Sequence, residues 1–318
     1  MIFSRLLRYS LKTLFSIFLI SFFVFVAAYV TYSFEKQNFL NKISKDSIVL
    51  KTDLGEIEYK VYNGGKEIIL HIHGSPGGFD QIFGIETKYK VINPSRPGYL
   101  RTPIDSGATP EQQADLYNAL LKELGIDSVF VMGTSGGGPS AIAFAIKYPE
   151  KTRGLISFEA LTGHWIEINS EDVDLLQSND FVLWLTLKIP ELLGRKSLIS
   201  FLIPDPINQK KVFDNNLAYQ NLKRLVWGIW PMSLRSEGFV NDYKIFKDLS
   251  LNLEQIKVPT IAIHGTEDIN VDVSHSRSLV REVVGAKLFL IEGADHYMMF
   301  SHEEKILKII EDFINENL

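Results

Sequence analysis

Cysteine is absent from the 318 residues, so the chain has neither a disulfide framework nor a thiolate zinc site, and that count leaves its redox compartment open. Positive charge is not in excess either. The 33 Lys and Arg are outnumbered by 38 Asp and Glu, for a net charge of -5, which removes the clustered basic face that nucleic acid recognition requires. No internal repeat or low-complexity tract is present. What the chain does have is apolar material, 46% of its residues, enough for one large domain or two modest ones.

Part of that material is concentrated at the N-terminus. Arg5, Arg8 and Lys12 precede an uncharged run of 22 residues from Thr13 to Phe34, and Glu35 and Lys36 follow it. At about 1.5 Å per residue the run makes a helix of roughly 33 Å, long enough to cross a bilayer core. Cations placed before the span predict a cytoplasmic N-terminus and a catalytic body on the far side of the membrane. The alternative is a signal peptide whose cleavage releases a secreted protein. Its apolar core would usually be shorter, about 7 to 15 residues, and only Val26-Ala27-Ala28 offers a cleavage-like site.

Beyond the run, strand and helix patterns alternate. "DSIVLKT" and "GEIEYKVYNGG" form two strands joined at Asp53, Leu54 and Gly55, the second with period-two alternation. "EIILHIHG", "YKVINPSRPG", "DSVFVMGT", "RGLISFEA", "PTIAIHG" and "AKLFLIEG" are short, nearly continuous apolar runs, as buried parallel strands are. Thr109, Pro110 and Gln112 mark a capped helix start that runs to Gly125. Further helices are expected over 136–148, 274–284 and 300–316. The sum is an α/β fold: a mostly parallel central sheet with helices on both faces. From 161 to 255 no such strand occurs, and Trp165, Trp184, Trp227 and Trp230 accompany helical apolar runs. That interval is too long for a loop and is expected to be an inserted helical cap, its tryptophans serving mainly as core.

"VFVMGTSGGGPSAIAFA" places Ser135 between Gly133 and Gly137, at a strand-to-helix turn. A nucleophile there needs a strained backbone, and small neighbours let strand and helix approach. A phosphate-binding helix start is the competing reading, but the turn holds no Lys. A serine hydroxyl also needs a base, and the base needs an orienting acid. His296 in "IEGADHYMM" follows the last strand, at the sheet end where catalytic loops collect. His71, His73 and His264 belong to strands or their tips, where a structural role is expected, and His164, His275 and His302 fall in cap or helix regions. Asp268 in "HGTEDINV" follows the preceding strand and is the expected acid, with Glu267 and Glu159 as competitors. The oxyanion needs two donors. In "HGSPGG" Pro76 has no N–H, so the amides of Ser75 and Gly136 are the candidates.

These motifs, in this order, resemble the capped α/β-hydrolases. "HGSPGG" is similar to their oxyanion loop, "GTSGGG" to their nucleophile elbow, "HGTED" to their acid loop and "GADH" to their histidine loop. "SRPGYLRT" resembles the loop after the next strand, with Leu100 where a small residue is common. The resemblance spans about 47 to 316 and implies a serine hydrolase of the esterase or lipase type needing no metal or organic cofactor. Proline-type aminopeptidases and carbon–carbon hydrolases share that machinery, although Ser75 replaces a glycine of the aminopeptidase loop. A non-catalytic ligand-binding member is the remaining alternative. The expected organisation is an anchor at 1–36, a hydrolase core at 37–160 and 256–318, and the cap at 161–255. The expected partners are a small-molecule or lipid-like substrate and, through the N-terminal helix, the membrane.

Overall fold

The computed structural model describes residues 2–82, 84–165 and 179–318, with side chains from residue 11 onward. The expected cap interval therefore includes a stretch, 166–178, that lies outside the described residues. The chain divides into two compact units, 1–46 and 47–318.

The first unit is a single helix, α1 (Ile2–Asp46). Its segment Leu11–Asp46 is long and apolar enough to cross a membrane, with a mean hydropathy of 2.4 in its most apolar window. Phe18, Ile20, Phe23 and Val30 are all more than half exposed. A helix apolar all round, rather than along one stripe, has no water-facing side.

The second unit is built on eight strands: β1 (Ile48–Thr52), β2 (Gly55–Asn63), β3 (Ile68–Ile72), β4 (Lys90–Pro94), β5 (Val129–Thr134), β6 (Thr152–Phe158), β7 (Thr260–Gly265) and β8 (Lys287–Ile291). They form one sheet in the order β1-β2-β4-β3-β5-β6-β7-β8, with β1 and β2 antiparallel to their neighbours and β3 to β8 parallel. The apolar runs are explained by burial on both faces. Leu70, Ile72, Val131 and Leu155 enter one core with α2 (Pro110–Glu123) and α3 (Gly138–Lys147), while Ile69, Phe130 and Ile156 enter the other, against the C-terminal helix. Odd and even positions of a strand point to opposite faces, so only a strand covered twice is apolar throughout.

Helix α2 starts with a full capping box: Thr109 Oγ1 accepts from Gln112 N, and Gln112 Oε1 accepts from Thr109 N. Two boundaries differ from expectation. Residues Ser135–Gly137 make a single 3-10 turn before α3 begins at Gly138, and the last helical segment breaks at His302 into two helices, Met298–Ser301 and Glu303–Glu316. Strand β2 also lacks clean alternation, because Ile57, Glu58 and Tyr59 are all buried between β1 and β4. Glu58 is tolerated there because Arg101, Ser47 and Ser95 donate to its carboxylate.

Between β6 and β7 come five described helices: α4 (Asp180–Leu192), α5 (Arg195–Leu202), α6 (Pro206–Asp214), α7 (Asn216–Trp227) and α8 (Ser236–Phe246). Ile199, Ile203, Val212, Ala218 and Leu222 of α5 to α7 form a small core together with Phe300 from the segment after β8. Trp184 and Trp230 are buried, and the Trp227 ring meets Trp230 edge-on. After β7 comes α9 (Ser274–Glu282), and after β8 come α10 (Met298–Ser301) and α11 (Glu303–Glu316).

Candidate active site

Ser135 stands directly after β5 with φ +51, a left-handed conformation that a side-chain-bearing residue holds only under constraint. The constraint is close packing. A Cβ on Gly133 would lie 2.6 Å from Ala141 Cβ, and one on Gly137 would lie 2.2 Å from Ile72 O. The turn therefore presses α3 against the sheet and leaves the Ser135 hydroxyl at its tip.

Two other strand-end loops reach that hydroxyl. His296, the fifth residue after β8, brings Nε2 to 3.1 Å from Ser135 Oγ. Its other nitrogen, Nδ1, lies 2.7 Å from Asp268 Oδ2, in the loop after β7. Asp268 is itself fixed: Oδ1 accepts the N–H groups of Asn270 and Val271, each at 2.9 Å, and His264 Nε2 lies 3.3 Å from Oδ2. Burial works to raise the pKa of Asp268, but the hydrogen bonds with His264 and His296 outweigh it and hold the carboxyl well below the usual range. It is thus the ionised acid beside His296.

The competing acids are elsewhere or in another state. Glu267 is exposed. Glu159 directly follows β6, is only 4% exposed and lies close by, with a carboxyl oxygen within 4.8 Å of donor atoms of both Asp268 and His296. Burial, then the negative charges of Asp268 and Asp295, push its pKa well above the ordinary value. Glu159, Asp268 and His296 are also the one trio of metal-type donors this close together among the described residues, but His296 Nδ1 and Asp268 Oδ2 are engaged with each other.

On the opposite flank, the loop after β3 brings Ser75 against Gly136. A Cβ on Gly136 would fall 2.2 Å from Ser75 Oγ, and one on Gly74 would fall 3.1 Å from Ser135 Cβ. Ser75 is held through its side chain, which donates to Asp242 Oδ2 and accepts from Arg96 Nη2 at 2.6 Å. Arg96 Nη1 also binds Asp242 Oδ1 at 2.9 Å, and the Tyr99 hydroxyl donates to Asp242 Oδ2 at 2.5 Å. Asp242 belongs to α8, so an inserted helix reaches the loop. A second link lies nearby, where fully buried Arg235 binds Gly77 O and Asp80.

Sequence reasoning singled out the 95–102 segment but missed Asp242, which sits mid-helix with no local signal. Leu100, noted as bulky for its place, has φ +54; a small residue adopts that backbone more freely, and here the bond from Leu100 N to Leu234 O helps hold it. His73 and His264 are buried structural groups, bonded to Arg96 N and to Ser276 respectively. His71 is paired with Asn93 and Thr134 at the cavity floor.

Above Ser135 and His296 opens a cavity of about 460 Å³. Leu187, Leu202, Leu225, Val226 and Ile229 of the inserted helices and their connections form its apolar wall, and Trp165 also lines it. Its described lining includes no Lys or Arg and a single acid, Glu159.

Residues 113–303 match a family model described as serine aminopeptidase, S33. The chain is 30% identical over 262 residues to the uncharacterized hydrolase YcgS of Bacillus subtilis (strain 168), covering 79% of this chain and 92% of that protein. It is 25% identical over 282 residues to a 2-hydroxy-6-oxononadienedioate/2-hydroxy-6-oxononatrienedioate hydrolase of Paraburkholderia phymatum, covering 82% and 91%. Among solved structures, an α/β-hydrolase fold protein from Nakamurella multipartita superposes with a TM-score of 0.73 at 27% identity, over 84% of this chain and 98% of that one.

Proposed function

The chain belongs to the α/β-hydrolase family described as the S33 serine aminopeptidases, and from that premise we propose that it hydrolyses carboxylic esters with an apolar acyl group through an acyl-enzyme on Ser135. The observation that carries the reading is His296 bridging Ser135 Oγ at 3.1 Å and Asp268 at 2.7 Å beneath an apolar cavity.

The steps follow from that arrangement. Ser135 Oγ attacks the ester carbon as its proton passes to His296 Nε2. Asp268, ionised and bonded to Nδ1, keeps the ring in the productive tautomer and stabilises the imidazolium. The N–H groups of Ser75 and Gly136 receive the developing oxyanion. Collapse of the tetrahedral intermediate breaks the bond to the alcohol, which leaves with the proton from His296. Water, activated by the same imidazole, then releases the acid. No step calls for a metal or organic cofactor.

The cavity wall argues for uncharged substrates. An aminopeptidase needs an anion for the substrate's ammonium, and the one acid in the described cavity lining, Glu159, has its pKa raised well above the ordinary value by burial and by its acidic neighbours, which disfavours its anion. Carbon–carbon hydrolysis is favoured by the likeness to the Paraburkholderia enzyme, but the substrate in that enzyme's name is a dicarboxylate, for which the described lining of this cavity offers no Lys or Arg. A fluorophosphonate probe is expected to label the full-length protein and not Ser135→Ala; equal labelling of both, or of neither, overturns the assignment. Alkyl esters of graded acyl length, assayed beside proline anilides and a 2-hydroxy-6-oxo-dienedioate, are expected to be the substrates turned over. Faster cleavage of either competitor transfers the activity to that class.

Helix α1, by its length and apolarity, supports a single-pass anchor with the N-terminus in the cytoplasm and the hydrolase unit outside. The same helix fits a signal sequence. Retention in carbonate-washed membranes is expected for the anchor, and a mature N-terminus near Tyr29 would instead mark cleavage.

A further inference from the structure

The loop after β3 is shaped by side chains from distant parts of the chain. Gly74 O accepts from Arg96 Nη2 at 3.4 Å, Pro76 O from Gln81 Nε2 at 3.0 Å and Gly77 O from Arg235 Nη1. Between them Ser75 is held by its own hydroxyl, which Asp242 and Arg96 both bind. The opposing residue, Gly136, is crowded from the same side: a Cβ there would lie 2.2 Å from Ser75 Oγ and 3.2 Å from Phe246 Cε2. Gly238, Asp242 and Phe246 recur at every fourth position of α8 and so share one face of it. Gly238 N donates to Gly98 O at 2.8 Å, beside Tyr99. That single face therefore runs along residues 98–99, then Ser75, then Gly136, and the last two carry the amides assigned to the oxyanion. Holding the insert to the core does not call for this arrangement, since buried Arg235 with Gly77 and Asp80 already provides a tie. A buried ion pair adds little stability over apolar packing, and its best use is to fix one arrangement of its neighbours.

We propose that Asp242 is a positioning residue for the oxyanion hole: from the inserted helix α8 it sets the Ser75 amide by holding the Ser75 hydroxyl. This rests on the ester reading above. An oxyanion donor is effective only where it is fixed before charge develops, about 2.7–3.1 Å from the place the oxygen will occupy. A glycine-rich loop does not fix itself. Because Ser75 Oγ donates to Asp242 and accepts from Arg96, both the place and the rotation of that side chain are set, and the amide of the same residue is set with them. Arg96 Nη1 and the Tyr99 hydroxyl bind the carboxylate from other directions, at 2.9 and 2.5 Å, which keeps Asp242 aimed at Ser75. Asp242 is not in the described lining of the cavity, so it acts through Ser75 and touches neither acyl chain nor alcohol. Its influence therefore falls on kcat, where the oxyanion forms, and not on KM.

The test compares two inhibitors with one alkyl chain, decyl trifluoromethyl ketone and decyl methyl ketone, on the full-length protein in detergent. Ser135 Oγ adds to the carbonyl carbon of the first as its proton passes to His296 Nε2, and the carbonyl electron pair becomes an oxyanion; the second binds without that step. Asp242→Asn, which keeps the side chain's shape, is expected to weaken the trifluoromethyl ketone about tenfold, a part of the roughly 10²- to 10³-fold that loss of a whole oxyanion donor costs in kcat, and to change the methyl ketone less than about twofold. Ester kcat is expected to fall with KM and the midpoint of the pH profile unchanged. Ser75→Ala keeps the amide and removes the hydroxyl, so it is expected to show the same selective loss, and the double variant no more than either alone. Equal weakening of both ketones, weakening of neither, or losses that add in the double variant overturn the proposal. If circular dichroism shows Asp242→Asn unfolded, Ser75→Ala decides alone, and an unchanged preference for the trifluoromethyl ketone overturns the proposal. A wild type that binds the two ketones alike forms no adduct and sinks the ester reading itself, whereas a wild-type preference that both variants retain leaves that reading standing and removes only the role of Asp242.

Discussion

Around Ser75 a hydroxyl, a phenol and a guanidinium all donate to the Asp242 carboxylate, whereas on the other flank of Ser135 the buried Oε2 of Glu159 meets no partner. Both flanks carry a buried acid. The difference lies in how the acid is satisfied. A buried carboxylate paired with a buried arginine and two hydroxyls fixes its neighbours in one arrangement, which suits an amide that must await an oxyanion. A carboxyl oxygen without a partner fixes nothing. The paired flank ties the loop after β3 to an inserted helix through Asp242, and the unpaired flank makes no such tie through Glu159 Oε2.

The comparison breaks most sharply at the ionised acid. Asp268→Asn is expected to lower kcat by roughly 10³- to 10⁴-fold while the fold persists, as measured by ester turnover and circular dichroism. A near-normal rate would mean that Glu159, freed of the neighbouring charge, had taken over as the acid. Next comes the paired flank. Asp242→Ala strands Arg96, which is 1% exposed, and is expected to cost about 3–5 kcal/mol of stability. Denaturant midpoints measure it, and a loss below 1 kcal/mol would show that the network does not hold α8 to the oxyanion loop.

A smaller effect tests the cavity floor. Burial lowers the pKa of His71 from 6.5 to about 4, against the opposing bond to Asn93. The unfolded chain therefore takes up a proton that the folded protein refuses between those values. Stability is full above pH 6.5, falls as pH drops toward 4 and levels below it, with a contribution of about 3 kcal/mol. His73, lowered by burial and by the Arg96 charge, acts in the same direction, so His71→Gln is expected to flatten the fall in urea midpoint only in part. The smallest effect sharpens the unpaired flank. Because the folded pKa of Glu159 is raised, its protonated form stabilises the fold below the unfolded value, and that advantage is lost as pH rises toward the folded pKa. Glu159→Gln escapes this loss. Its Tm relative to wild type is expected to be higher at pH 7 than at pH 4.5, and a constant difference would show Glu159 to be ionised in the folded protein.

The serine, histidine and aspartate were legible in the sequence because each directly follows a buried strand or its turn, and parallel strands deliver their ends to one edge of the sheet. The capping box at Thr109 and the glycines around Ser135 were legible for a similar reason: their chemistry acts within a few residues. Asp242 was not. It lies 167 residues from Ser75, inside a helix whose local pattern says nothing about which loop it will cover. Glu159 was visible only as a rival for the acid's position, since burial and two neighbouring charges, neither written in its surroundings in the chain, raise its pKa.

By itself, the amino-acid order determined the strands, the nucleophile turn and the apolar N-terminal helix, because periodicity, small residues and run length act locally. Tertiary structure alone decided which carboxyl is ionised beside His296, which is paired with arginine and which is left unpaired. Those states depend on charges and dielectric set by packing between distant segments, and no spacing along the chain encodes them.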